Sequence, residues 1–146
     1  MGAADDKFRR EWRSPGYLYI ALSPSTKLLK IGITADPKNA RTARLWREGY
    51  GGITDWMLLY RRQFKDAGRI EHNVKMRLSS YQKVVSFTRK GETRVREARE
   101  LFKCSYGVAK KAIESQGAEA LDKRCWEWPT LEKVLRRMSA EGNEST

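Results

Sequence analysis

The 146-residue sequence has little cysteine and almost no histidine: Cys104, Cys125 and His72 are the full set. A structural zinc site needs about four Cys or His ligands, so a zinc finger or ribbon within one chain is excluded. A disulfide would need an oxidising compartment, of which the sequence gives no sign. We therefore expect both cysteines to be free thiols.

Long apolar runs are also missing. No run approaches the roughly 18 residues of a membrane span, and the first residues, MGAADDKFRREWR, lack the apolar core of a signal peptide. These absences favour a cytoplasmic protein with no membrane partner. The length suits one compact domain.

Acidic residues are too few to balance the basic ones. Thirty Lys and Arg stand against eighteen Asp and Glu, which gives a formal net charge of +12. Such an excess favours a polyanionic partner, and nucleic acid is the leading candidate. The alternatives to specific binding are a basic ribosome-like protein and a surface whose charge only confers solubility.

The first half of the chain predicts two strands, a helix, a strand and a second helix. YLYIAL and LLKIGI have strand composition and flank the turn SPST, which predicts a β-hairpin over 16–34. Capping signals at both ends predict a helix over 35–49, and WMLLYRRQF predicts a strand over 56–64. Apolar residues at helical spacing then predict a helix that packs on the sheet: Ala67, Ile70, Val74 and Leu78.

The second half gives weaker patterns. VVSFTRKGET, 84–93, fits a short strand and turn, and RVREARELF, 94–102, fits a helix or a helix that runs into a strand. YGVAKKAIES and the segment after Pro129 predict two further helices. We thus predict an α/β (α+β) fold with a central three-stranded antiparallel sheet flanked by helices, and additional C-terminal helices.

Glu71 lies at the edge of the apolar stripe of the second predicted helix, where a plain core would not place a carboxylate. One interpretation is a boundary residue paired with an arginine. The other is a ligand for a hard divalent cation, Mg²⁺ or Mn²⁺. One carboxylate is enough because Mg²⁺ keeps several waters and also takes phosphate oxygens of a substrate as ligands.

Arg41 and Arg44 lie about one turn apart on the first predicted helix, and Lys38 lies one turn earlier. A solvated basic face would explain them. Alternatively, the two arginines form a fork that holds a phosphate at two points and offsets charge that develops during phosphodiester cleavage.

Tyr17 and Tyr19 share one face of the first strand, and Lys30 on the partner strand is expected to lie across from them. Tyrosines of this kind are common in protein cores, which is the structural explanation. A phenol is a poor base at neutral pH, but a neighbouring cation favours the phenolate. The functional interpretation is therefore a tyrosine base whose charge is tuned by Lys30.

The order of these residues resembles the GIY-YIG nuclease superfamily. YLY at 17–19 stands where that superfamily has GIY, and KIG at 30–32 stands where it has YIG. AGRIEHNVKMRL and RELFKCSYGVAKKAI look like its branch with KIGIT as the second motif, which is frequent in phages and also found in fungi. The resemblance runs from about residue 16 to residue 113.

The resemblance implies a divalent-metal-dependent DNA endonuclease. By position, Tyr19 matches the tyrosine that is implied to activate the attacking water. Arg41 matches the arginine that contacts the scissile phosphate, with Arg44 as the fallback, and Glu71 matches the metal ligand. The residues that we expect to contact nucleic acid are Lys38, Arg41, Arg44, Arg47 and His72.

Two positions depart from the pattern. Lys30 replaces the second tyrosine, so a charge-tuning role takes the place of a second phenol. Glu100 lies roughly where several members have an asparagine. The interpretation also requires Tyr19, Lys30, Arg41 and Glu71 to open onto one concave surface.

The predicted organisation has four parts: a flexible N-terminal segment 1–15, a nuclease-like domain 16–115, a helical extension 116–140 packed on it, and a disordered tail 141–146. Two alternatives to the enzyme stay open. One is a nucleic-acid-binding module that keeps the fold after catalysis has lapsed. The other is a phage factor that binds a host protein through its apolar C-terminal helix.

Overall fold

The computed structural model describes residues 13–35, 49–89 and 91–144. Residues 36–48 of the first predicted helix lie outside the described residues, and with them the predicted phosphate contacts Lys38, Arg41, Arg44 and Arg47. Most of the predicted N-terminal segment also lies outside them.

Six strands form one antiparallel sheet in the order β4-β5-β2-β1-β3-β6. The strands are β1 (Gly16–Leu22), β2 (Leu29–Thr34), β3 (Met57–Phe64), β4 (Gln82–Thr88), β5 (Val95–Phe102) and β6 (Trp126–Glu127). The helices in the described ranges are α1 (Ala67–Arg77), α2 (Tyr106–Glu114) and α3 (Leu131–Glu144). None of them is long and apolar enough to cross a membrane.

The α+β class is confirmed, but the prediction of a three-stranded sheet is wrong because the sheet has six strands. The clearest local error concerns 94–102, which was predicted to begin as a helix and instead forms β5. β5 pairs with β4 along most of its length and with β2 through Leu101 and Phe102. Pairing with two neighbours outweighs the weak strand propensity of its Arg, Glu and Ala residues.

The side chains of β1 point alternately to the two faces of the sheet, and each face has its own hydrophobic core. Leu18 and Ile20 face the core that α1 and α2 cover, in which Ile70 of α1 is fully buried. Tyr19 and Ala21 face a second core on the other side of the sheet. Tyr19 therefore lies on the face away from the two helices.

The segment after α2 is anchored to β3. Arg62 forms ion pairs with Glu114 at the end of α2 and with Asp122, and the backbone N–H of Gln63 donates to Asp122. Further on, β6 pairs with Tyr60 and Arg61. Cys104 and Cys125 are free thiols, as expected.

Candidate functional site

Tyr19 and Lys30 contact each other in the second core, on the face of the sheet away from α1 and α2. Tyr19 pairs with Gly32 across β1 and β2, and Lys30 shares the face of Gly32 because it lies two residues earlier. The Nζ of Lys30 donates a hydrogen bond to the phenol oxygen of Tyr19. The predicted proximity of the two side chains is confirmed.

Gly32 makes room for this contact. A Cβ at residue 32 would lie 2.6 Å from the phenol oxygen of Tyr19 and 2.8 Å from the Nζ of Lys30. Any larger residue would have to push a buried ring or a buried ammonium aside. The glycine of the KIG segment is therefore explained by the side chains that cross over it.

Glu100 joins this pair to α1. Its two carboxylate oxygens lie 3.0 Å from the Nζ of Lys30 and 2.8 Å from the Nζ of Lys75. The register of β4 and β5 places one residue, Val84, opposite two, Arg99 and Glu100. A β-bulge of this kind interrupts the regular alternation of side chains along a strand. Glu100 lies in the bulge, and its side chain contacts both lysines.

Glu71 completes the group of side chains that we call the carboxylate cluster. Its members are Tyr19, Lys30, Glu100, Lys75 and Glu71. The Nζ of Lys75 lies 3.2 Å from the Oε2 of Glu71, one helical turn earlier. This buried oxygen has the charge of Lys75 beside it but accepts no well-formed hydrogen bond, and it is the one buried side-chain N or O atom in the described ranges in that condition. The cluster thus contains one buried carboxylate oxygen that is ion-paired but not hydrogen-bonded.

Three members of the cluster have shifted pKa values. Burial opposes the charged form of Lys30, but the phenol of Tyr19 and the carboxylate of Glu100 outweigh it and raise the pKa of Lys30 to about 12. Burial also opposes ionisation of Glu100, but Lys30 and Lys75 lower its pKa to about 2. Lys30 and Glu100 therefore form a fixed ion pair at neutral pH.

The pKa of Glu71 shifts in the opposite direction to that of Glu100. Burial raises the pKa of Glu71, Lys75 partly offsets this effect, and the charge of Glu100 adds to it. The ionised carboxylate is therefore held in an environment that disfavours its charge. A buried carboxylate of raised pKa is typical of functional sites and is also found in structural ion-pair networks.

Tyr19 and Lys30 are each only 1% exposed. The expectation that they open onto a concave surface with Glu71 is wrong for these two, because the second core covers them. The solvent-facing members are Glu100 and Lys75, with side chains 34% and 24% exposed, while the side chain of Glu71 is 16% exposed.

The other predicted residues lie around the cluster. Tyr17 is half-buried on the same face of β1 as Tyr19. His72 is exposed on α1, and since it follows Glu71 directly it points about 100° away around the helix. Arg41 and Arg44 lie outside the described residues.

Two members of this site were missed by sequence reasoning. Lys75 follows Glu71 by four residues on α1, a spacing that signals an ion pair on a helix. Tyr50 gives no such local signal: its ring centroid lies 4.9 Å from the Nζ of Lys30, and its hydroxyl accepts a hydrogen bond from the backbone N–H of Glu100.

The donor set limits the kind of metal that fits. In the part of the chain that the structure describes, no group of three or more His, Cys, Asp or Glu side chains could hold an ion. Glu100 is ion-paired with two lysines and Glu71 with Lys75 alone, so Glu71 is the less engaged donor. A single carboxylate whose buried oxygen accepts no well-formed hydrogen bond fits Mg²⁺ or Mn²⁺ that keeps most of its waters.

Comparison with known proteins corrects the family. Neither a search of curated proteins nor a search of solved structures found a match. The family model that matches is the T5orf172 domain, over residues 16–116, and no GIY-YIG model matched. The resemblance to the GIY-YIG superfamily is therefore wrong, and the residue roles that it implied lose that support. Since the match covers more than half of the 146 residues, the chain belongs to the T5orf172 domain family.

Proposed function

We propose that this chain is a divalent-metal-dependent endonuclease that hydrolyses phosphodiester bonds of DNA. The observation that carries the proposal is the buried Oε2 of Glu71, which accepts no well-formed hydrogen bond and is ion-paired with Lys75 in a chain of net charge +12. A carboxylate whose charge is disfavoured by burial gains from binding a cation, and a basic protein gains from binding a polyanion.

The roles follow from the chemistry of the side chains. Glu71 would hold the divalent cation, which would polarise a phosphate oxygen and stabilise the leaving oxygen. Lys75 adds a positive charge next to Glu71 and offsets negative charge on a phosphate. In the proposed reaction the base is the Tyr19 phenolate, whose oxygen accepts the hydrogen bond from Lys30 and takes the proton of the attacking water to become the phenol. The phosphate contact predicted for Arg41, with Arg44 as the fallback, lies outside the described residues and stays a prediction.

A second candidate is nucleic-acid binding without cleavage. It is favoured by the 1% exposure of both Tyr19 and Lys30, since water must reach the phenol oxygen before that oxygen can act as a base. In this alternative, Tyr19 and Lys30 only stabilise the hairpin of β1 and β2.

Cleavage of supercoiled plasmid separates the two candidates. The assay compares wild type with Glu71→Gln and Tyr19→Phe, in Mg²⁺, in Mn²⁺ and in a chelator. A matched control is Glu132→Gln, which makes the same change on α3 at a side chain that is 89% exposed. We expect metal-dependent cleavage by wild type and the control, none by Glu71→Gln, and a loss of about 100-fold or more for Tyr19→Phe.

Two results would overturn the endonuclease. One is wild-type protein that binds the plasmid and leaves it intact in both metals, which supports the second candidate. The other is cleavage that survives Glu71→Gln, which removes the residue on which the proposal depends.

A further inference from the structure

Tyr50 lies in a 3₁₀ turn, Tyr50–Gly52, that precedes β3 in the chain. Gly51 in this turn has a φ of 69°, in the left-handed region that favours glycine. A Cβ at residue 51 would lie 3.2 Å from the Cδ1 of Leu101, so the turn packs closely on β5. The turn therefore places the side chain of Tyr50 against the second core.

The ring of Tyr50 contacts two other aromatic rings. Its centroid lies 5.6 Å from that of Phe87, in an edge-to-face arrangement, and 6.5 Å from that of Trp56. Aromatic pairs favour such distances and tilts. The indole N–H of Trp56 also donates a hydrogen bond to the backbone carbonyl of Tyr50 at 3.2 Å. Because Phe87 and Trp56 are both buried, these contacts hold the phenol group of Tyr50 in one place.

From this position Tyr50 contacts both partners of the ion pair at the centre of the carboxylate cluster. Its ring centroid lies 4.9 Å from the Nζ of Lys30, a cation–π contact that is stronger where water is excluded. Its hydroxyl oxygen accepts the backbone N–H of Glu100 at 3.2 Å. Glu100 lies in the β-bulge opposite Val84, where the regular ladder of backbone hydrogen bonds is interrupted. The backbone of Glu100 is thus held by a side chain at the point where strand pairing is irregular.

Tyr50 and Tyr19 contact the same ammonium group in different ways. The Nζ of Lys30 donates to the phenol oxygen of Tyr19, whereas the hydroxyl of Tyr50 is used on the backbone of Glu100. Burial raises the pKa of Tyr50, and the charge of Glu100 adds to this effect. The hydroxyl of Tyr50 therefore stays protonated at neutral pH and is unsuited to the role of a base.

We propose that Tyr50 is a positioning residue for the proposed reaction: its hydroxyl fixes the backbone of Glu100 and so places the carboxylate of Glu100 against Lys30. The inference rests on the proposed function, to which it adds a residue that acts without touching the substrate. Since Lys30 also donates to the phenol oxygen of Tyr19, a displaced Glu100 alters the charge beside the proposed base.

The first test is steady-state cleavage of supercoiled plasmid in Mg²⁺ by wild type and Tyr50→Phe, which keeps the ring and removes the hydroxyl. The matched control is Tyr60→Phe. It also removes a phenol hydroxyl that is hydrogen-bonded in a core, but Tyr60 lies on the other face of the sheet and donates to Glu114 at 3.0 Å. Urea midpoints confirm that both variants fold.

We expect Tyr50→Phe to lower kcat by about 10-fold, since a small displacement of groups that act on the reacting atoms slows the chemical step. Its KM should stay unchanged because Tyr50 does not contact the DNA. Tyr60→Phe should keep both constants of wild type.

The second test does not depend on cleavage. The coupling energy between Lys30 and Glu100 is measured in urea unfolding with a double-mutant cycle of Lys30→Met and Glu100→Gln. The cycle is made in wild type, in Tyr50→Phe and in Tyr60→Phe. We expect the coupling to fall by about half or more in Tyr50→Phe and to keep its wild-type value in Tyr60→Phe.

A Tyr50→Phe protein that keeps the wild-type coupling would overturn the inference. Equal losses of kcat in Tyr50→Phe and Tyr60→Phe would also overturn it, because any lost buried hydrogen bond would then have the same effect. A rise in KM alone would show that Tyr50 contacts the substrate instead. The proposed function fails separately: a wild-type protein that cuts no plasmid refutes the endonuclease, while reduced coupling in Tyr50→Phe still supports the placement of Glu100 by Tyr50.

Discussion

Gly32 lies directly opposite Tyr19 across β1 and β2, and the phenol group of the tyrosine crosses over it. The space at residue 32 is so small that a Cβ would come within 2.6 Å of the phenol oxygen. This relationship fixes where the hydroxyl of Tyr19 meets the ammonium of Lys30. The contact between Tyr19 and Lys30 is therefore possible because residue 32 has no side chain.

Gly32→Ala should destabilise the protein by about 1–3 kcal/mol, because a methyl group inserted into a packed core displaces its neighbours. The measurement is the free energy of unfolding in urea. Gly107→Ala is the matched control: its nearest contact to a new Cβ would be the Oγ of Ser105 at 4.0 Å. In a helix, alanine there should be neutral or stabilising by up to about 1 kcal/mol. Equal effects of the two substitutions would contradict the packing argument.

Glu71→Gln should stabilise the fold at neutral pH while it removes the proposed metal ligand. Burial raises the pKa of Glu71 above its ordinary value of 4.5, so at pH 7 the ionised carboxylate favours the unfolded state. The amide has no charge to desolvate. The gain in unfolding free energy should shrink as the pH falls through the folded pKa and below 4.5, where both states are protonated.

Urea unfolding of wild type and Glu71→Gln between pH 7 and pH 3 checks this expectation. Glu132→Gln, at the exposed carboxylate of α3, should change the stability at pH 7 by less than about 0.5 kcal/mol. A Glu71→Gln protein that is less stable than wild type at pH 7 would show that the ion pair with Lys75 outweighs the burial of the carboxylate.

The hairpin of β1 and β2 could be predicted because its signals are local. Two runs of strand composition flank a turn, and the alternation of side chains then places Tyr19 and Lys30 on one face. β5 could not be predicted in the same way. RVREARELF contains good helix formers, and its strand state depends on pairing with β4 and β2, which the segment itself does not encode.

The same distinction applies within the site. The position of Glu71 at the edge of an apolar stripe is visible in the sequence, and so is Lys75 one turn later. The engagement of Glu100 depends on a bulge opposite Val84, and the contact of Tyr50 depends on how its turn packs against β4 and β5. Such features arise from tertiary structure, so no local pattern reveals them.

Glu100 should stabilise the fold in a pH-dependent way. Lys30 and Lys75 lower its pKa from 4.5 to about 2 against the effect of burial. Its contribution is therefore present above about pH 4.5 and is lost as the pH falls towards 2. The difference in unfolding free energy between wild type and Glu100→Gln should be largest at pH 5–7 and should decline between pH 4.5 and 2. A difference that stays constant over this range would contradict the ion pairing.

Lys30 and Glu100 should be energetically coupled, because Lys30 is only 1% exposed and Glu100 lies 3.0 Å from its Nζ. We expect the double-mutant cycle of Lys30→Met and Glu100→Gln to give a coupling energy of about 1–3 kcal/mol in urea unfolding. When either partner alone is removed, the charge of the other stays largely buried and has fewer partners.

The control cycle uses Arg96 and Glu92, which form an ion pair at 3.0 Å. Their side chains are 31% and 39% exposed. That more exposed pair should couple by about 0.5 kcal/mol or less. If the two cycles gave the same value, burial would not strengthen the pair, and the fixed charge assigned to the centre of the carboxylate cluster would lose its physical basis.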